Sequence, residues 1–122
     1  MNVCESLTRT ARRFPERIAL ISGDLRLTYA QLDALSVAAA IRLTGQGVTS
    51  GDRVALMLPN TPVFAVWYYA ALRIGAVAVS VSTRLVSDEI EYILSDCDAR
   101  VFVTVDKATS CLLYTSPSPR DS

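Results

Sequence analysis

Two short stretches and one acidic cluster have residue types and spacings that could carry chemistry. Tyr114, Thr115 and Ser116 match the opening of a phosphate-gripping loop, and residues 45–51, GQGVTSG, are similar to a nucleotide-binding loop. The acidic cluster could hold a metal ion or supply an acid–base pair; its members are Asp88, Glu89, Glu91, Asp96 and Asp98. Each function needs a particular structural element beside it, so the surrounding sequence decides among them.

The glycine-spaced stretch at residues 45–51 fails as a nucleotide loop in spacing and in direction. Its last glycine, Gly51, comes one place too late for the G-x-G-x-x-G pattern. The stretch also leads from a predicted helix into a predicted strand, whereas a bound phosphate needs the free amides at the start of a helix. We interpret Gly45, Gly47 and Gly51 as helix-cap and turn glycines.

Helix electrostatics explains the acidic cluster better than a metal does. Asp88, Glu89 and Glu91 fall in the first turn of a helix predicted to begin at Ser87, where carboxylates face the positive end of the helix dipole. Helical spacing puts Asp88 and Glu91 on one face, but no other ligand type accompanies them. We therefore interpret these carboxylates as a solvated helix turn and not as a metal site or an acid–base pair.

The aromatic and cysteine residues are also predicted to be structural. Trp67, Tyr68 and Tyr69 are interpreted as packing residues and not as a stacking platform. The cysteines are odd in number and form no C-x-x-C pair, which argues against a disulfide framework or a metal knuckle; they are Cys4, Cys97 and Cys111. Arginines stand where a signal peptide would need an apolar run, so we predict a cytoplasmic, reducing location.

Composition excludes several function classes. The 122 residues are 51% hydrophobic and carry no net charge, which predicts one domain or part of one and offers no basic surplus for nucleic acid. The sequence has no histidine, which excludes Ser-His and Cys-His nucleophile pairs and the commonest zinc ligand.

The elements that would position any site alternate along the chain. The chain is predicted to begin with a helix at 3–14 and a hairpin of strands at 18–22 and 25–28, joined by a Gly23-Asp24 turn. A Thr28/Gln31 capping box then starts a helix that ends at 45–47. After it come a strand at 53–58, a helix from 61, a strand at 76–82, a helix from 87 and a strand at 100–105. This order predicts an α/β fold with an open, mainly parallel sheet, helices on both faces and one early β-hairpin. Residues 63–81 are nearly long enough to span a membrane, but Arg73 and Gly75 favour a buried helix followed by a strand covered on both faces.

Three blocks of the sequence carry a family resemblance. They read LTYAQLDALSVAAAIRLTGQGVTSGDRVALMLPN, VWYYAALRIGAVAVSVSTRL and DEIEYILSDCDARVFVT. Their order resembles the opening of the AMP-forming adenylating enzymes, which include acyl-CoA synthetases, peptide-synthetase adenylation domains and luciferases. Ser80, Ser82 and Thr83 depart from a common proline-asparagine-proline pattern, and the S-T-R-L variant is similar to fatty-acyl-CoA ligases.

The resemblance implies an activity for a longer parent protein. Members join a carboxylic acid to AMP from ATP with Mg²⁺ and then transfer the acyl group to a thiol, usually coenzyme A. The resemblance implies that the phosphate loop, the ribose carboxylate and the catalytic lysine all lie beyond residues 14–105. We therefore expect this chain to be a truncated N-terminal part of the domain, inactive alone, with no catalytic, cofactor-binding or metal-binding residue and no cofactor bound by itself. Its missing partner is the rest of its own domain. Part of the apolar surface of the helix from 61 and the strand at 76–82, or a sheet edge, should then face water.

The last residues match the family loop poorly. After Tyr114, Thr115 and Ser116 the sequence continues Pro-Ser-Pro-Arg, and the two prolines remove backbone donors that a phosphate loop uses. Residues 111–121 are similar, residue for residue, to one reading frame of the adapter used in transposase-based DNA library preparation. We expect residues 1–109 to be the family segment, and residues 110–122 to be a non-native tail without regular structure.

Two other functions fit the residues alone. One is a stand-alone doubly wound module that binds a small ligand at the carboxyl ends of its strands. The other is an inert fragment that associates through exposed apolar surface.

Overall fold

The structure, a computed structural model, describes residues 3–22, 24–59, 61–84, 88–89, 92, 96, 99–105 and 111–115. The elements run in the order α1 (Val3–Arg13), β1 (Ile18–Ser22), β2 (Leu25–Thr28), α2 (Tyr29–Gly45), β3 (Arg53–Met57), α3 (Pro62–Arg73), β4 (Val77–Ser80), β5 (Ala99–Val105) and β6 (Cys111–Thr115). The predicted α/β class and the elements through β5 are confirmed, with ends that differ by a few residues. Where a helix is predicted from Ser87, Asp88, Glu89, Tyr92 and Asp96 are helical, and the other residues between 85 and 98 lie outside the described residues.

Local signals set the N-terminal elements. β1 and β2 pair antiparallel as the predicted hairpin, with Ser22 opposite Leu25. The capping box is present, since the Gln31 amide donates to Thr28 Oγ1 over 3.1 Å and the Thr28 amide donates to Gln31 Oε1 over 2.9 Å. α2 therefore begins directly after the hairpin and ends before Gly47, whose φ of 89° suits glycine.

The larger sheet has the order β4-β3-β5-β6. β3 pairs parallel with β4, with Leu56 opposite Ser80, and parallel with β5, with Met57 opposite Thr104. β6 runs antiparallel to β5. The sheet is therefore mainly parallel, as predicted, and β3 and β5 are its inner strands.

Alternate residues of β3 enter two apolar clusters, one on each face of the sheet. Val54 and Leu56 are fully buried in a cluster that includes Trp67 and other residues of α2 and α3. Ala55 is fully buried in a second cluster with Val81 and Ala99. Both faces of β3 are therefore covered, as expected of a central parallel strand.

β4 is an apolar strand suited to cover on both faces in a complete domain, and in this chain it is partly exposed, as expected for a truncated domain. It lies at the edge of the sheet, and its first residue, Val77, is 48% exposed. An apolar run identifies a strand, but its place in the sheet depends on which other strand pairs with it. Among the described residues, β4 pairs with β3 and with no other strand.

Arg73, the charge within the apolar run, joins three helices. Its guanidinium forms an ion pair with Asp33, and its Nε donates to Ser36 Oγ over 2.9 Å. Its other contact is to Thr8 Oγ1 of α1, at 3.3 Å. The charge is thus compensated at the junction of α1, α2 and α3, and within the described residues no helix is long and apolar enough to cross a membrane.

The prediction that residues from 110 onward lack regular structure is wrong for residues 111–115. These residues form β6, with Cys111 opposite Val105 and Thr115 opposite Val101. An exposed strand edge offers unpaired N–H and C=O groups to any extended segment within reach, so pairing needs no selected partner sequence. The remainder of the tail lies outside the described residues.

Candidate functional site

The fold places a candidate site at the carboxyl edge of the parallel strands. β3, β4 and β5 point the same way, so their last residues, Met57, Ser80 and Val105, lie at one edge of the sheet. Open α/β sheets bind ligands outside this edge, at the point where successive connections leave in opposite directions. Here the chain leaves β3 toward β4, and β5 lies on the other side of β3, so that point falls between β3 and β5.

Hydroxyl groups and one cation occupy this edge. Ser80, Ser82, Thr83 and Arg84 are exposed at and after the end of β4, and Thr104 is half-buried near the end of β5. The Arg84 amide donates to Ser82 Oγ over 3.2 Å, which turns the chain back after β4. The group can bind an anionic or polar ligand, but the described residues at this edge include no base that could activate a nucleophile.

Sequence reasoning did not select these edge residues as a site. Ser80, Ser82 and Thr83 were singled out only as departures from a family pattern. The available signal was the placement of hydroxyl residues directly after two apolar strands. That signal becomes informative only once the parallel pairing brings the two strand ends together.

The connection from β3 to α3 is unsuited to phosphate. It contains Pro59, and α3 begins with Pro62, which has no N–H to donate. Thr61, at the N-cap, makes no side-chain capping bond. A phosphate loop at this position would present glycine and free amides, whereas the sequence of this connection has no glycine and Pro62 removes one amide from the start of the helix.

The other loop candidate, residues 45–51, lies at the opposite edge of the sheet. It joins the end of α2 to the start of β3, so no helix begins there. Gly47 lies against Arg100, where a Cβ would come within 3.0 Å of the guanidinium, and Gly51 has a φ of 87°. Both glycines therefore serve close packing and turning, in agreement with their interpretation as cap and turn residues.

The phosphate-loop lookalike also lies at the wrong edge. Tyr114 and Thr115 end β6, and Thr115 is opposite Val101, two residues from the start of β5. β6 begins opposite Val105, at the carboxyl edge, and runs away from it. Thr115 therefore lies at the edge opposite the candidate site.

The remaining chemistry-bearing residues are not brought into one site. Asp88, Glu89 and Asp96 are exposed on helical backbone, while Glu91, Asp98 and Cys97 lie outside the described residues. The described part of the chain contains no group of three or more potential metal ligands. Cys4 lies in α1 and Cys111 in β6.

The aromatic residues of α3 pack as predicted, with one exposed. Trp67 is 4% exposed, with the Arg42 guanidinium 5.3 Å from its ring centre. Tyr68 is 38% exposed and stacks on Phe64 with ring centres 6.0 Å apart. Phe64, Tyr68 and Tyr69 border a shallow apolar groove of about 320 Å³ between α3 and the hairpin.

Comparisons with known proteins agree with this architecture. A family model described as AMP-binding enzyme matches residues 7–119. The chain is 46% identical over 82 residues to the long-chain-fatty-acid–CoA ligase FadD13 of Mycobacterium tuberculosis, covering 67% of this chain and 16% of that protein. It is 37% identical over 102 residues to a long-chain-fatty-acid–CoA ligase of Bacillus subtilis, covering 82% of this chain and 18% of that protein.

A solved structure shows the same fold. The N-terminal domain of FACL13 from Mycobacterium tuberculosis superposes with a TM-score of 0.79 at 40% identity, covering 85% of this chain and 27% of that one. The chain thus spans less than a fifth of the length of these curated relatives.

Proposed function

Because this chain belongs to the AMP-binding enzyme family, we propose that it is an N-terminal part of an ATP-dependent, AMP-forming acyl-CoA ligase. The parent would join a fatty-acid-type carboxylate to AMP and then transfer the acyl group to coenzyme A. One observation carries the proposal: the parallel β3, β4 and β5 with their helices superpose on the N-terminal domain of FACL13 at 40% identity. The long-chain-fatty-acid–CoA ligases among the relatives support the substrate class.

The described residues do not fit ATP or Mg²⁺. The β3–α3 connection lacks glycine and begins its helix with proline, and the described part of the chain groups no metal ligands. ATP, Mg²⁺ and coenzyme A therefore belong to the proposed parent as a whole. This segment would supply the sheet whose carboxyl edge, with Ser82, Thr83 and Arg84, borders the space where other parts of the parent act.

The proposal predicts that the 122-residue chain has no adenylating activity. Carboxylate-dependent exchange of labelled pyrophosphate into ATP should not exceed a blank without protein. The matched positive control is an intact long-chain-fatty-acid–CoA ligase from the same family, assayed with the same acids. Exchange by the purified chain that requires a carboxylate would show that a complete site exists here and would overturn the assignment as an inactive part.

We further propose that residues 1–109 are the family segment and that residues 110–122 are not native to it. Support comes from the match of residues 111–121 to a translated adapter. The family-model match, which continues to residue 119, counts on the other side. Amplifying and sequencing the gene without transposase adapters decides the question. Genomic DNA that encodes CLLYTSPSPRD after residue 110 would contradict the proposal.

A cytoplasmic location is proposed for the parent. The odd number of cysteines and the absence of a C-x-x-C pair in the sequence suit a reducing compartment. Fractionation of cells that express the tagged parent would test this.

A further inference from the structure

The edge of the large sheet beside β5 is occupied by a strand of the same chain. β6 follows β5 antiparallel over five residue pairs, from Val101 opposite Thr115 to Val105 opposite Cys111. Without β6, β5 would present a row of unpaired N–H and C=O groups to solvent. Such edges pair readily with other extended segments.

β5 is held in place by the rest of the sheet, so it can accept another strand without rearranging. It is seven residues long, with Val101 and Val103 fully buried on one face of the sheet and Ala99, 2% exposed, in the cluster on the other face. Its other edge is already bonded to β3, the central strand of the parallel set. An acceptor that is held in place before pairing loses little conformational freedom when a new strand binds, so most of the ordering cost falls on the incoming segment.

The opposite edge of the sheet is a weaker template. β4 has four residues, and its terminal residues, Val77 and Ser80, are exposed. In the part of the chain that the structure describes, its hydrogen-bonded neighbour in the sheet is β3 alone. Two edges of one sheet therefore differ in length, in burial and in occupancy.

We infer that the outer edge of β5 is a strand-acceptor surface, that its occupant in this chain is residues 111–115, and that this occupancy prevents two copies of the chain from pairing through β5. Recognition is through the backbone, so it tolerates a partner sequence that was never selected for the site. The inference is independent of the enzymatic assignment and of the origin of the tail.

The first test compares the 122-residue chain with a chain that ends at residue 109. Both have the same β4 edge and the same helix surfaces, so a difference in association reports the β5 edge. We expect sedimentation velocity to show self-association at least about tenfold tighter for the shorter chain. Equal association of the two chains would overturn the inference.

Adjacent prolines give a matched pair within the full-length chain. N–H groups along an antiparallel strand alternate toward and away from the partner, so Leu112→Pro and Leu113→Pro differ in whether they remove a bond to β5. One variant should associate like the 109-residue chain and lose amide protection in β5, while the other should behave like the unsubstituted chain. Unchanged amide exchange and association in both variants would overturn the inference, even if the 109-residue chain fails to fold.

A peptide supplied in trans tests the acceptor directly. A synthetic peptide of residues 110–116, SCLLYTS, should return the 109-residue chain to a monomer and restore the amide protection of β5. The same peptide with proline at the sensitive position is the control and should have no effect. A 109-residue chain that is monomeric without any peptide would refute the role of β6 in preventing association.

Discussion

β3 and β4 are parallel neighbours in one sheet, and they differ in what covers them. Val54, Ala55 and Leu56 of β3 are fully buried, with both faces of the strand packed. Val77 and Ser80 of β4 are exposed. Both strands are apolar over most of their length and both follow a glycine with positive φ. Burial here therefore depends on a strand's position in the sheet, because an inner strand gains a neighbour on each side.

The largest effect that the comparison predicts is for Leu56→Ala. Leu56 is 0% exposed at the centre of the cluster formed by α2, α3 and β3, so truncation removes apolar burial and leaves a cavity. We expect the free energy of unfolding to fall by about 2–5 kcal/mol. Urea denaturation of dilute protein, followed by circular dichroism, measures it. A loss below about 1 kcal/mol would show that β3 is not the packed centre.

Substitution of the glycines that precede the two strands should cause the second-largest loss of unfolding free energy. Gly75, before β4, has a φ of 76°, and a Cβ there would lie 2.7 Å from Ser50 Oγ. Gly51, before β3, has a φ of 87° and no heavy atom within 4 Å of the added Cβ. We expect Gly75→Ala to cost about 2–3 kcal/mol and Gly51→Ala about 1 kcal/mol in the same denaturation experiment.

A background substitution sharpens this pair. Ser50→Gly removes the side-chain atom that an alanine at residue 75 would meet. In that background the loss of unfolding free energy caused by Gly75→Ala should fall to the loss caused by Gly51→Ala. Equal losses for Gly75→Ala and Gly51→Ala would contradict the close contact between the two turns.

A smaller effect is expected for Asp33→Asn. Its side chain is 26% exposed and that of Arg73 is 19% exposed, so the ion pair is partly screened and the loss should be about 1–2 kcal/mol. Arg73 ends α3, the helix that covers β3, so amide exchange should accelerate in β3 more than in β4. Asp24→Asn, in the exposed hairpin turn, is the matched control and should change neither stability nor exchange.

The smallest effect should come from Val77→Thr in β4. Val77 is 48% exposed, and threonine keeps the β-branched shape that a strand favours. The change in unfolding free energy should stay within about 0.5 kcal/mol. A loss comparable to that of Leu56→Ala would erase the distinction between the central strand and the edge strand.

Local chemistry explains which parts of the fold could be predicted. Thr28 and Gln31 cap α2, Pro15 follows the end of α1, and Pro62 stands in the first turn of α3, so each boundary has a cause within a few residues. The order of strands in the sheet has no such local cause. The exposure of β4 and the pairing of β6 both follow from that order. The first agrees with the expectation that a truncated domain leaves a sheet edge facing water, whereas the prediction that residues 111–115 lack regular structure was wrong.

The candidate site was less predictable for the same reason. The direction of residues 45–51, from a helix into a strand, needed only local patterns, and in the structure they do join α2 to β3. Ser82, Thr83 and Thr104 form a common edge only because β3 separates β4 from β5 while all three run parallel. No pattern within either segment encodes that proximity.

The central position of β3 also determines how long this strand stays partly unpaired while the chain is synthesised. Val54 of β3 pairs with Val101 of β5, about 47 residues later in the chain. At about 5–20 residues per second on a ribosome, β3 waits roughly 2–9 seconds for the strand that completes its pairing. During that interval its apolar side chains and unpaired backbone groups can aggregate or bind a chaperone. The vulnerable period of the nascent chain is therefore set by the distance to β5, so lengthening the segment between β4 and β5 would prolong it without changing any residue of β3.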